Sequence, residues 1–302
     1  MWEGFSIIYY AFPLGGRWRE APDEGIMISS TNNSRVKKIA EYGKKAKARR
    51  EDGVFIIEGI RMLREVPSDL IREVYATSHF LKNLSNEDRR VIEDIRKNDG
   101  ATFEEVSDDV MRKMADTQTP QGVIAVVKQK SWTLKDMLGE RDATADKKAA
   151  PLLLILENIQ DPGNLGNMFR TGEGAGVTGI IMSSDMADVY NPKVVRSTMG
   201  AIFRVPFIYV ESIPETVREL HEKHGVISYA AHLKGKKNYD EIDYHGGCAF
   251  LIGNEGNGLT SEAADAATDY VLIPMLGKVE SMNAATSAAI LTFEAARQRR
   301  NS

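Results

Sequence analysis

Three stretches of this 302-residue chain set chemically able side chains directly after apolar runs. In the first, Asn158-Ile159-Gln160-Asp161-Pro162-Gly163-Asn164, proline and glycine force a tight turn, and Asn164 is expected to cap the helix that follows. Arg170 comes nearly two helical turns later and is expected to face the same cleft as Asn164. Taken alone, this stretch also reads as an ordinary N-cap and a surface arginine. In the second, Gly253-Asn254-Glu255-Gly256-Asn257-Gly258, three glycines let the backbone approach a ligand, and Glu255 sets a carboxylate at a strand end. A phosphate-binding loop would carry Lys or further Gly where Asn254 and Glu255 stand, while a purely structural turn is also compatible. The third runs from Ile273-Pro274-Met275 to Ser281-Met282-Asn283, an irregular loop that offers the short polar groups of Ser281 and Asn283 at the start of the last helix.

The elements that must hold these stretches form an α/β pattern. Apolar runs at Leu152–Leu156, Gly179–Met182, Val226–Ala231, Ala249–Ile252 and Tyr270–Ile273 read as buried strands. Helices are expected between them at Asn164–Glu173, Asn191–Met199, Pro214–His224 and Thr260–Ala267, with a final helix at Ala284–Arg300. Such alternation implies a parallel sheet covered on both faces, with ligands beyond the carboxyl ends of its strands. Gly174-Ala175-Gly176-Val177-Thr178-Gly179 fits G-x-G-x-x-G, but a helix precedes it and a strand follows. That order is the reverse of a dinucleotide fingerprint and argues against a nucleotide-dependent oxidoreductase.

A smaller α/β domain precedes it. A basic helix is expected at Ser34–Lys47 with Ser34 as its cap, followed by a strand at Val54–Ile57, a helix at Gly59–Val66 and a strand at Val74–Thr77. A charged helix at Glu87–Lys97, a strand at Phe103–Val106, a helix at Ser107–Met114 and a strand at Val123–Val127 complete it. The division is then an extension at 1–26, a small domain at 27–130, a linker with one helical turn at 131–150, and a catalytic domain at 151–302. The net charge of -4 is unusual for a nucleic-acid binder, yet Arg35, Lys37, Lys38, Lys44, Lys45 and Arg49 gather on one short segment. That cluster reads either as a solvated helix face or as a patch for RNA phosphates. No apolar run reaches the ~20 residues of a membrane span. The single cysteine, Cys248, excludes an internal disulfide, fits a reducing cytosol and is expected as a buried thiol in a strand.

Together, in order and spacing, the three stretches resemble the signature motifs of the SpoU (TrmH-like) RNA ribose 2'-O-methyltransferases. Asn191-Pro192-Lys193-Val194-Val195-Arg196-Ser197-Thr198-Met199-Gly200-Ala201 is similar to an intermediate family segment. Ser34-Arg35-Val36-Lys37 and Phe55-Ile56-Ile57-Glu58-Gly59 resemble the family's L30-like substrate-binding module. The resemblance implies a trefoil-knotted catalytic domain, a homodimer in the cytoplasm, and S-adenosylmethionine as cofactor without a metal. It assigns Gly253, Ile273 and Met282 to the cofactor, with Asn254 and Gly258 in the same pocket. Met282 stands where the family usually has leucine, and Ala284-Ala285-Thr286-Ser287 is less typical of it.

The implied reaction is attack of a ribose 2'-oxygen on a sulfonium methyl, which asks for alignment and removal of one proton. The resemblance makes Arg170 the activating residue. A guanidinium keeps its proton above about pH 12, so binding the adjacent phosphate and stabilising the developing alkoxide is the better role. Asn164, Glu255, Ser281 and Asn283 are expected to orient Arg170, the ribose and the loop. Ribosomal RNA is the expected substrate ahead of transfer RNA. A non-catalytic RNA-binding protein of the same fold is the alternative, opposed by the full polar set. Base methylation through a cysteine is disfavoured by the strand position of Cys248.

Overall fold

A computed structural model describes residues 27–139 and 150–300. The extension at 1–26 and half of the linker, 140–149, lie outside the described residues. The basic segment forms two helices, α1 (Ser34–Lys44) and α2 (Ala46–Asp52), where one had been expected. Lys45 between them is extended, and this bend turns Ala48 and Arg49 inward. Asn33, not Ser34, caps α1, its side chain accepting from Arg35 N at 2.8 Å. Strands β1 (Val54–Glu58), β2 (Ile71–Thr77), β3 (Thr102–Val106) and β4 (Val123–Lys128) form a sheet in the order β1-β4-β2-β3. Around it lie α3 (Ile60–Glu65), α4 (Ser78–Lys82), α5 (Asn86–Arg96) and α6 (Asp108–Met114); the short α4 was not foreseen.

The described start of the linker contains α7 (Leu134–Met137), whose Met137 is fully buried beneath Gly179. The linker's helical turn is therefore part of the second domain's core. That domain comprises β5 (Leu152–Leu156), α8 (Pro162–Ala175), β6 (Gly179–Ser183), α9 (Pro192–Thr198), β7 (Phe207–Val210) and α10 (Ile213–His224). It continues through β8 (Ile227–Ala231), β9 (Lys237–Asn238), β10 (Cys248–Ile252), α11 (Ser261–Ala266), β11 (Asp269–Leu272) and α12 (Ala284–Arg300). Its sheet has seven strands, all parallel, in the order β7-β6-β5-β10-β8-β11-β9. Every residue of β5 and β10 is buried, as central parallel strands require. The edge strands β7 and β9 are short and were not foreseen. From β5 the chain moves outward through β6 and β7, and the later strands fill the other side beginning with β10. The seam between β5 and β10 is therefore the switch point at whose carboxyl end a ligand crevice opens.

The two domains share a contact built from both chemistries. Phe55 of β1 lies against Tyr190 and Phe203, with ring centroids 4.7 and 6.0 Å apart. Arg49, expected on the RNA-binding face, is only 3 % exposed and is withdrawn from it. Its Nε donates to Asp188 Oδ2 at 3.1 Å, a second nitrogen also pairs with that carboxylate, and Nη1 donates to Tyr42 O at 2.5 Å. Arg196 and Asp116 add a 2.8 Å pair at the same boundary. Removing one partner of such a buried pair leaves the other charge unsatisfied. Arg49→Met should therefore lower the urea unfolding stability by about 3 kcal/mol, and the joint Arg49→Met, Asp188→Leu variant should recover part of it. An unchanged midpoint in the single variant would show that the pair does not hold the domains together.

Candidate functional site

Loops leaving β8, β10 and β11 enclose a cavity of about 310 Å³. This is within the ~300–1,000 Å³ range of small-ligand sites. All five residues expected to hold the cofactor, Gly253, Asn254, Gly258, Ile273 and Met282, line it. The walls are apolar at Leu259, Ile273, Met275 and Met282 and polar along the glycine loop. That loop is a closed turn. Asn254 and Gly258 exchange backbone hydrogen bonds at 3.0 and 2.9 Å, and Gly258 is left-handed at φ 71°. Asn254 Oδ1 accepts from Gly256 N at 2.8 Å and Asn257 N at 3.1 Å, while Nδ2 donates to Asn158 O at 2.8 Å. A Cβ on Gly253 would collide with the backbone of Gly258 and Leu259. The residue is glycine because two chain segments cross there without room for a side chain.

A polar relay joins the three signature stretches beside this cavity. Glu255 accepts from Asn164 Nδ2 at 2.9 Å and from the backbone nitrogens of Gln160 and Asp161 at 3.5 and 3.4 Å. Asn283 Nδ2 donates to Asn164 Oδ1 at 2.9 Å, and Asn283 Oδ1 accepts from Ala285 N at 2.9 Å at the start of α12. Asn164 is therefore not the helix cap that its position implied. Asp161 caps α8, accepting from Asn164 N at 2.8 Å, which frees the Asn164 carboxamide for the relay. Ser281 lies on the cavity wall, as does Glu255. Arg170 does not. Its side chain is exposed on α8 and makes no hydrogen bond or ion pair with the described residues. Six residues along a helix amount to about 9 Å and a rotation of ~120° from Asn164, so the two cannot share one face as expected.

His232 and Leu233, also on the cavity wall, were missed by the sequence reading, as was Glu280. The signal was available, since His232 and Leu233 immediately follow a parallel strand at its carboxyl end. Cys248 is buried, and burial pushes its thiol up to about 11, which leaves it protonated at neutral pH. Among the other residues expected to meet RNA, Lys37 and Lys44 are exposed without ion pairs to described residues. Arg35 pairs with Glu104, Lys38 with Asp52 and Lys45 with Glu41, each at 2.8 Å. Among the described residues no group of three or more His, Cys, Asp or Glu is arranged to hold a metal, and no helix is long and apolar enough to cross a membrane.

Residues 151–293 match the SpoU rRNA Methylase family, and residues 33–125 match the MRM3-like substrate binding domain. The chain is 30 % identical to the 23S rRNA (guanosine(2553)-2'-O)-methyltransferase RlmP of Bacillus subtilis, over 88 % of this chain and 97 % of that protein. It is 31 % identical to the 23S rRNA (guanosine-2'-O-)-methyltransferase RlmB of Shewanella oneidensis, over 84 % of this chain and 100 % of that protein. The crystal structure of an AdoMet-bound rRNA methyltransferase from Sinorhizobium meliloti superposes with a TM-score of 0.76 at 28 % identity, covering 90 % of this chain and 97 % of that one. The crossing at Gly253 gives a direct test of the cavity. Gly253→Ala should abolish S-adenosylmethionine binding in calorimetry, whereas Gly246→Ala, which meets open space, should not. Retained affinity in the Gly253 variant would place the cofactor elsewhere.

Proposed function

The chain belongs to the SpoU rRNA Methylase family, and we propose from that premise how its residues carry out S-adenosylmethionine-dependent methylation of an RNA ribose 2'-hydroxyl. The cavity fits the cofactor in kind: a backbone cradle at Gly253, an apolar lining from Ile273 and Met282, and a polar edge at Asn254 and Gly258. Bound there, S-adenosylmethionine supplies an electrophilic methyl on a sulfonium. The protein's own contribution is alignment and charge stabilisation. Glu255, Asn164 and Asn283 fix the three loops relative to one another, and Ser281 offers a hydroxyl from the cavity wall. Arg170 binds the phosphate next to the reacting ribose and stabilises the negative charge that grows on the 2'-oxygen as its proton passes to solvent water and the oxygen takes the methyl from the sulfonium. The relay that joins the three stretches beside the cavity is the observation that carries this reading.

The substrate we propose is ribosomal RNA of the large subunit, on the strength of the relatives' 23S activity and the matched substrate-binding domain. Residues 27–130 would engage that RNA and residues 151–302 would form the knotted methyltransferase domain, working in the cytoplasm. We further propose a homodimer. Phe293 of α12 is 48 % exposed, and it lies beside Gly174 of α8, on the helix that also displays Arg170. A second copy packed on this face would cover the ring and bring an otherwise solitary Arg170 to a seam between protomers.

Incubation with methyl-tritiated S-adenosylmethionine should label 23S rRNA and protect one 2'-oxygen from alkaline cleavage at the modified nucleotide. Label confined to transfer RNA or to a base would overturn the assignment. Arg170→Ala should lower kcat by roughly 10²–10³-fold with cofactor affinity unchanged, and near-normal turnover would remove Arg170 from the reaction. Phe293→Asp should shift sedimentation from dimer to monomer; a monomeric wild type would refute the proposed pairing.

A further inference from the structure

In the first domain Arg35, Lys38, Lys45 and Arg49 are paired while Lys37, Lys44 and Arg50 stay exposed without ion pairs to described acids, and RNA held there would still need cations beside the reacting ribose on the second domain. Lys234, Lys236 and Lys237 fall within four consecutive positions after β8, all three are exposed, and none pairs with a described acid. The same segment contributes His232 and Leu233 to the cavity wall, and Leu233 is 65 % exposed. Lys278 adds another exposed, unpaired cation from the loop whose Met275 and Glu280 also line the cavity.

This lysine segment is not a loose surface turn. Gly235 N donates to His232 O at 3.0 Å, and Lys234 N donates to His232 Nδ1 at 3.0 Å. A Cβ on Gly235 would stand 2.7 Å from Leu272 N, so the backbone is pressed against β11. Lys237 begins β9 and pairs in register with Val271. Of the two acids that follow, Asp240 is exposed and Glu241 accepts from Asn238 N at 2.8 Å, closing the turn behind the lysines. Three exposed lysines are thus carried on fixed backbone by the segment whose His232 and Leu233 line the cavity, on a chain whose net charge is -4.

We propose that Lys234, Lys236 and Lys237 form a phosphate-binding rim that receives the RNA backbone flanking the reacting ribose. The inference rests on RNA being the substrate and adds a contact surface on the catalytic domain itself. Long, mobile ammonium side chains suit this task, since they follow a backbone without reading its bases. Each phosphate contact releases bound counterions, so the rim carries a specific salt signature.

The test uses the full-length chain, an rRNA fragment that the wild type methylates, and the triple variant Lys234→Gln, Lys236→Gln, Lys237→Gln. RNA affinity should fall on the order of tenfold at ~0.1 M salt, and the slope of log affinity against log salt should become shallower by about 2. The KM for RNA should rise, S-adenosylmethionine affinity by calorimetry should stay within about twofold, and the corresponding triple Arg variant should regain RNA affinity. An unchanged salt slope would overturn the rim. So would loss of S-adenosylmethionine affinity with RNA affinity intact, which would assign the lysines to the cofactor. If the wild type itself binds and methylates no rRNA, the substrate reading fails first and the rim falls with it.

Discussion

One carboxylate ties the three loops beside the cavity to one another. Glu255 sits at the end of β10 and collects donors from the turn after β5, and through Asn164 it reaches the head of α12. Without that charge the three loops would each be an irregular segment at a sheet edge. With it, the turn after one central strand, the glycine loop after its neighbour and the start of the last helix have fixed relative positions. Charge-assisted hydrogen bonds of this kind are about twice as strong as neutral ones, and the relay spans loops far apart in sequence. The cavity is a by-product of that arrangement, and its narrow crossing at Gly253 is tolerable only because neither loop can shift.

The second domain was legible in the sequence to the extent that its strands are uninterrupted apolar runs. β5, β10 and α12 were recognisable because burial on all sides, or a long uninterrupted helix, leaves an unmistakable composition. β7 and β9 were not, because an edge strand of four or two residues needs little apolar character. Gly253, Ile273 and Met282 could be singled out because the order and spacing of the three stretches resemble the family's motifs, and the structure brings them to the wall of one cavity. The helix caps show the limit: Asn33 displaces Ser34 and Asp161 displaces Asn164, each shifting a cap between adjacent or nearby candidates that local chemistry treats as equals. Asn164 was chosen for the wrong local reason and occupies a central place for a nonlocal one.

Arg49 marks the same boundary in the first domain. Its charge is visible in the sequence, but its partner, Asp188, lies far along the chain and on the other domain. Only the packed structure distinguishes a cation offered to solvent from one consumed inside. The lysines after β8 are the converse, plain polar residues whose meaning comes from the cavity their segment borders.

The loop between β6 and α9 touches both halves of the molecule. Its Asp188 grips Arg49 of the first domain. Ser183, the last residue of β6, accepts through its hydroxyl from Asn158 N at 2.9 Å, the loop's Asp185 carbonyl accepts from Gln160 Nε2 at 2.8 Å, and its Ala187 N donates to Ile159 O at 3.0 Å. The small domain and the turn beside the cavity are thereby clamped to one short piece of chain. One short segment therefore ties the position of the small domain to that of the turn beside the cavity. A partner resting on both domains would meet two surfaces whose separation this segment sets.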